Sequence, residues 1–131
     1  MTANYKLALA VLAGVSIGIA GAKLIHAQQM KAPRGYVIAE VEVTDPSTMQ
    51  KYVDKISETL APFNHHYVVL GGGKIQALEG ELPKGGIVII AFDSAEKARE
   101  WYDSPAYRAI KPIRQSAAKS RIFIVEGVSP E

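Results

Sequence analysis

The 131-residue sequence contains no cysteine. Disulfides, thiolate metal sites and cysteine nucleophiles are therefore excluded, and the chain can cross an oxidising compartment without mispairing. Beyond its N-terminal segment the sequence also lacks an excess of either charge. Lys6 and Lys23 account for the formal net charge of +2, and the rest of the chain holds 13 basic and 13 acidic residues. Nucleic-acid-binding domains normally show a basic excess or stripe, so we expect no nucleic-acid partner.

The motifs that announce common catalytic sites are missing as well. The sequence has no Gly-x-Ser-x-Gly, no His-Glu-x-x-His and no paired-carboxylate signature, which removes the simplest support for a hydrolase or a metalloprotease. Gly71-Gly72-Gly73-Lys74 lacks the spacing of a phosphate-binding loop and is interpreted as a turn. His65 and His66 are adjacent at the entry to a strand and point to opposite faces, unlike a metal-binding pair. We expect neither a bound metal nor a cofactor.

One long apolar run is present, at residues 7–22, LALAVLAGVSIGIAGA. It follows Lys6 and precedes small residues up to Ala27, which is the order of a secretory signal peptide. The run is short of the roughly 20 residues that span a bilayer comfortably. We predict a signal peptide over residues 1–27, cut after Ala22 or Ala27, with an uncleaved inner-membrane anchor as the alternative. Both place the domain outside a bacterial cytoplasm, periplasmic or secreted, with membrane contact only through this segment.

The remainder predicts a linker over residues 28–35 and one domain over residues 36–128. Apolar periodicity and turn residues indicate alternating strands and helices in this order: strand Tyr36 to Val43, helix Asp45 to Ala61, strand His66 to Leu70 with a continuation over Ile75 to Glu79, strand Ile87 to Phe92, helix Asp93 to Ala117 with a break at Ser104, and strand Arg121 to Glu126. Asp93 with Glu96 resembles a capping box, and Pro112 is expected to bend the second helix. This order is the α+β, ferredoxin-like βαββαβ plan, an antiparallel sheet with two helices on one face.

The central strand has more apolar surface than the helices can cover. Ile87 to Phe92 is apolar at every position, whereas two helices cover only one face of the sheet. An exposed apolar face of this size favours association. We therefore predict a homodimer, with two sheets packed face to face as a dimeric α+β barrel that encloses a small cavity.

Five groups of residues, in chain order, carry a family resemblance: Gly35-Tyr36, Thr44-Asp45-Pro46, Gly71-Gly72 with Leu78-Glu79-Gly80, Ser104-Pro105 with Tyr107 and Arg114, and Val125-Glu126-Gly127. Together they resemble the family named domain of unknown function 1330, of the dimeric α+β barrel superfamily, over about Gly35 to Val128. The resemblance implies the ferredoxin-like fold and the barrel dimer, and it brings no established reaction. Relatives often carry two glycines and an arginine where this chain has Asn64-His65-His66, so a site role built on that arginine does not transfer.

The candidate site residues follow from the predicted inter-subunit cavity. Glu40 lies on the mixed face of the first strand, where a carboxylate needs a cationic partner, and Arg114 is the candidate for it. The structural alternative for this pair is an interface salt bridge or a solvated sheet edge. His66 is the candidate general base. The predicted ligand-binding residues are Tyr36, Glu40, His66, Tyr107 and Arg114. The helically spaced aromatic residues Tyr52, Trp101 and Tyr102 are expected to pack in the core.

Three functions are compatible with this cavity. The leading hypothesis is a dimeric module that binds a small, partly apolar molecule. The second is a cofactor-independent oxygenase, isomerase or decarboxylase, with His66 or Glu40 as base and Arg114 stabilising an anion, which rests on analogy at the level of the fold. The third is a structural dimer with a filled barrel and no ligand.

Overall fold

A computed structural model describes residues 32–130. The predicted signal peptide or anchor at residues 1–27 lies outside the described residues, and so do the first residues of the predicted linker. Within residues 32–130, no helix has the length and hydropathy required to cross a membrane.

The observed elements follow the predicted order. They are β1 (Gly35–Val43), α1 (Pro46–Leu60), β2 (His65–Val69), β3 (Gly86–Phe92), α2 (Ala95–Asp103), α3 (Pro105–Ala117) and β4 (Ala118–Glu126). The strands form one sheet in the order β2-β3-β1-β4, and every neighbouring pair is antiparallel. The predicted ferredoxin-like fold is therefore confirmed.

Residues that can cap a helix define where the helices begin. The Asp45 carboxylate accepts a hydrogen bond from the Thr48 amide at 3.2 Å, and Pro46 occupies the first turn of α1. Ser104 ends α2 and caps α3, where its hydroxyl accepts from the Tyr107 amide at 3.2 Å. This double role breaks the second predicted helix at Ser104, as expected.

Two local predictions need correction. Ser94, and not Asp93, caps α2, because the Asp93 carboxylate accepts a hydrogen bond from the Asn64 side chain at 2.7 Å. The strand expected over Ile75 to Glu79 does not form, because the chain there runs outside the sheet with Leu78 91% exposed and has no strand to pair with.

Helix α3 continues through Pro112. Proline has no N–H to donate to the carbonyl oxygen of Arg108, four residues earlier, but Arg108 is an exposed residue.

The two faces of the sheet differ because successive strand residues point to opposite sides. Val37, Ile90 and Phe92 are buried against the helices, and we call this side the helix-facing side. Tyr36, Ile38, Ile87, Ile89, Phe123 and Val125 lie on the other side, which we call the open face. Phe123 and Val125 are each about two-fifths exposed there. The helices leave this face uncovered.

Candidate functional site

A cavity of about 610 Å³ lies between the helix-facing side of the sheet and helices α1 and α3. This volume is within the usual range for small-molecule sites, roughly 300–1,000 Å³. Its walls are mainly aliphatic and come from every layer of the domain: Val37, Ala39 and Val41 of β1, Val88 and Ile90 of β3, Ile122 of β4, and Met49 and Ile56 of α1. The cavity thus belongs to a single protomer.

Three polar side chains, Tyr52, Tyr107 and Arg114, meet at the wall of this cavity, and we call them the polar cluster. The Tyr52 and Tyr107 hydroxyl oxygens are 2.7 Å apart. Arg114 donates from Nε to the Tyr107 hydroxyl at 3.2 Å. All three residues are buried, with at most 6% of their surface exposed.

Helical periodicity brings the polar cluster together. Tyr107 and Arg114 are seven residues apart, two turns of α3, on the buried stripe that also includes Ile110 and Ala117. Tyr52 occupies the corresponding buried stripe of α1. The Tyr52 and Tyr107 rings meet edge to face, with centroids 6.1 Å apart. The helix pair therefore fixes both ends of the cluster.

Arg114 is a buried cation without an acidic partner. It is 4% exposed, and none of the ion pairs among residues 32–130 includes it. Burial alone would lower the pKa of Arg114. Electrostatic interaction and hydrogen bonding with Tyr107 raise it, as does electrostatic interaction with Tyr52 and Tyr102. The net pKa lies above the ordinary value. Tyrosine ionises near pH 10 in water. At neutral pH the hydrogen bond to Tyr107 and the ring of Tyr52, whose centroid lies 5.9 Å from the guanidinium carbon, therefore offset part of the burial cost.

Tyr52 remains protonated at every physiological pH. Burial raises the pKa of Tyr52 well above its ordinary value, and the neighbouring Tyr107 adds to the increase. Its hydroxyl is thus a neutral donor and acceptor of hydrogen bonds.

The cavity has an apolar rim and an aromatic wall. Val43, Val53, Tyr67 and Leu70 line it while remaining 38–61% exposed, so they mark the opening to solvent. Trp101, the single tryptophan of the chain, lines the buried end and is 2% exposed. Its indole N–H donates to the Thr59 hydroxyl at 2.9 Å. The indole is therefore fixed in the cavity wall, where its fluorescence is sensitive to a molecule bound in the cavity.

The structure divides the predicted site residues between two faces of the sheet. Tyr107 and Arg114 line the cavity. The other three, Tyr36, Glu40 and His66, lie on the open face. Tyr36 and His66 both pair with Ala91, and Glu40 is four residues after Tyr36 on β1, so all of these side chains point to the same side of the sheet.

The predicted Glu40–Arg114 pair does not form. The Glu40 carboxylate instead pairs with Arg121, its neighbour across the β1–β4 ladder. Sequence analysis assigned Tyr52 to the core and missed its place in the polar cluster; its hydroxyl in a buried stripe, needing a buried partner, was the available signal.

A second depression, of about 650 Å³, lies over one end of the sheet. It is lined by charged side chains of both signs, among them Glu40, Glu42, Lys84, Lys119 and Arg121. Over residues 32–130, no group of three or more histidine and acidic side chains is placed to hold a metal ion.

Comparison with known proteins identifies one family and a set of similar folds. Residues 34–128 match the model of the family Domain of unknown function (DUF1330). A protein of unknown function from Rhodopseudomonas palustris is similar over 82% of this chain and 95% of its own, with 18% identity and a TM-score of 0.55. A dimeric ferredoxin-like protein of unknown function from Thermobifida fusca is similar over 74% and 93%, with 17% identity and a TM-score of 0.51.

A third solved structure is SnoaB, a cofactor-independent oxygenase from Streptomyces nogalater. It is similar over 76% of this chain and 96% of its own, with 10% identity and a TM-score of 0.49. These likenesses concern the fold alone. No curated protein matches the sequence significantly.

Proposed function

The chain belongs to the family Domain of unknown function (DUF1330), and we propose that it binds a small, largely apolar molecule in the cavity between its sheet and helices α1 and α3. One observation carries the proposal: a cavity of about 610 Å³ opens through an apolar rim and has a buried arginine in its wall. At roughly 30 Å³ for each water-sized group, it has room for on the order of 15–20 non-hydrogen atoms.

The cavity argues against a ligand-free structural dimer. Protein interiors are close-packed, and apolar surface left in contact with water costs roughly 25 cal/mol for each Å². A scaffold would gain stability by closing this space with larger side chains. The small residue Ala39 and the valines at positions 37, 41 and 88 leave it open instead.

The cavity also favours binding over the enzymatic alternative. Its described lining contains no carboxylate and no histidine, and the two candidate bases, Glu40 and His66, lie on the open face. Tyr52 cannot serve as a base near neutral pH, because burial raises its pKa. A proton-abstracting reaction in this cavity therefore lacks a base among its described lining residues.

Fluorescence of Trp101 tests the proposal, because this single indole lines the cavity. Native mass spectrometry of protein from its own source would identify a co-purifying molecule. Adding that molecule to the ligand-free protein should change the Trp101 emission. Ala39→Phe should fill the cavity and abolish the change while the circular dichroism spectrum stays native. Ala106→Phe, the same substitution at an exposed position of α3, is the control. Equal responses from both variants would place the ligand elsewhere.

We further propose that the domain is a homodimer that packs through the open face. Two observations support this: Phe123 and Val125 are exposed on a face that also carries Ile38, Ile87 and Ile89, and the similar Thermobifida fusca protein is dimeric. Light scattering should give twice the chain mass. Phe123→Glu should give a monomer, whereas Lys97→Glu on the exposed side of α2 should not. A monomeric parent protein would refute the dimer.

Export remains a proposal based on the sequence of residues 1–27. Intact-mass measurement on protein from the exported fraction should show a chain that lacks either 22 or 27 N-terminal residues, the two cut sites expected of the signal peptide. A full-length chain in the membrane fraction would support the anchor instead, and one in the cytoplasm would refute both.

A further inference from the structure

The polar cluster has more hydrogen-bond donors than the protein itself uses. Tyr52 and Tyr107 each carry one hydroxyl proton, and the single hydrogen bond between their oxygens consumes one of the two. One phenolic O–H is left over, whichever tyrosine donates. Arg114 uses Nε for Tyr107, and its side chain makes no other hydrogen bond among residues 32–130. Its two terminal nitrogens bring four further N–H donors.

The cluster has no matching acceptor within the described chain. Acidic side chains are absent from the cavity lining given by the structure, and the ion pairs of residues 32–130 do not involve Arg114. The terminal nitrogens of Arg114 are not among the fully buried, unpartnered polar atoms of residues 32–130, so they are accessible from the cavity. An anionic acceptor there would offset the desolvation cost of the cation. Arg114 presents its donors in a planar fork, which matches two oxygens of one group better than a single atom.

The surroundings of the cluster restrict the rest of the ligand. Away from Arg114 the walls are aliphatic, and the rim residues Val43, Val53 and Leu70 are apolar as well. A fully charged or sugar-like molecule would leave its polar groups unpaired against these walls. The cavity therefore suits a molecule with one acidic end and an apolar body.

We propose that the ligand is an apolar organic acid whose carboxylate binds Arg114 and the free phenolic hydroxyl of the Tyr52–Tyr107 pair. Its apolar body extends along the cavity toward the rim. This inference rests on the proposed function, and it adds the chemical class of the ligand and the residues that select it.

The first test compares two probes on the unaltered domain, octanoate and octanamide, which share chain length and shape and differ in charge. Isothermal titration at neutral pH should show octanoate binding about tenfold to a hundredfold more tightly, the range for a hydrogen bond gained by a charged group. Equal affinities would overturn the inference and leave apolar binding in the cavity intact. Failure of both probes to bind would overturn the inference and the proposed function together.

The second test assigns the selectivity to Arg114. Arg114→Gln should remove the preference for octanoate, because it should weaken octanoate far more than octanamide. Arg108→Gln, the same change at an exposed position of the same helix, should keep the full preference. Tyr107→Phe should weaken octanoate about fivefold or more, in line with the loss of one hydrogen bond. A preference for octanoate that survives Arg114→Gln in a folded protein would refute the assignment.

Discussion

Replacing Arg114 with methionine should make the ligand-free domain more stable. The side chain is 4% exposed, has no acidic partner among the described residues and forms one hydrogen bond, to Tyr107. If Arg114 is present for a ligand, the apoprotein carries the cost of an unpaired buried charge. If Arg114 is a structural residue, its removal should be costly.

The magnitude follows from what is lost and what is relieved. Burying an ion costs several kcal/mol even after the protein relaxes, whereas the hydrogen bond from a charged group to Tyr107 is worth about 1.5–3 kcal/mol. Tyr107 keeps Tyr52 as a partner at 2.7 Å, so the substitution leaves neither hydroxyl oxygen without a hydrogen bond. Methionine adapts to irregular space and retains most of the apolar stem. We expect a gain of about 1–3 kcal/mol in the free energy of unfolding.

Thermal and urea unfolding of ligand-free protein measure this difference. For a domain of this size, each kcal/mol corresponds to about 4–8 °C in Tm, so Arg114→Met should melt clearly above the parent. Arg108→Met on the exposed side of α3 should remain within about 0.5 kcal/mol. A loss of more than about 1 kcal/mol in Arg114→Met, with Arg108→Met unchanged, would show that Arg114 holds the fold together and would refute the reasoning.

Two further predictions concern packing and pH. Gly35→Ala should lower the free energy of unfolding in urea by about 1–3 kcal/mol, because a Cβ atom there would overlap the backbone of Ala95. Gly73→Ala should change stability little, because the nearest atom to its Cβ would be 3.9 Å away. Equal effects of the two substitutions would contradict this packing. Tyr52 has a raised pKa in the folded state, so its contribution is fully present below about pH 10 and is lost as the pH rises further, at up to about 1.4 kcal/mol for each pH unit. Tyr52→Phe should make the decline in unfolding free energy between pH 10 and 11 shallower; an unchanged slope would show that Tyr52 ionises freely in the fold.

The elements that could be predicted from sequence are those whose local signals agree with their tertiary environment. Pro46 after Asp45, and Pro105 after Ser104, define helix starts through bonds that span three residues, so nothing remote was needed. The apolar run of β3 likewise indicates a central strand from its own composition. The strand predicted over residues 75–79 does not form, because the sheet offers this segment no neighbouring strand to pair with.

The candidate site was predicted only in part, because it depends on which side of the sheet each residue faces. Glu40 and Arg114 are both charged groups near apolar positions in the sequence, yet the sheet lies between them. The helices pack over Val37 and Ile90. Because strand residues alternate between the two faces, Glu40 and Tyr36 lie on the other face of the sheet. Only the packing of α1 against α3 reveals that Tyr52, Tyr107 and Arg114 converge.

The proposed ligand site and the proposed dimer interface lie on opposite faces of the same sheet, whereas the sequence predicts a site between subunits. The cavity is bounded by β1, β3, β4 and the helices of one protomer, whereas Phe123 projects from the open face. A monomeric Phe123→Glu variant should thus bind octanoate with the affinity of the parent, and titration with light scattering on the same sample would measure both properties. Loss of binding in a folded monomer would mean that the partner subunit completes the site.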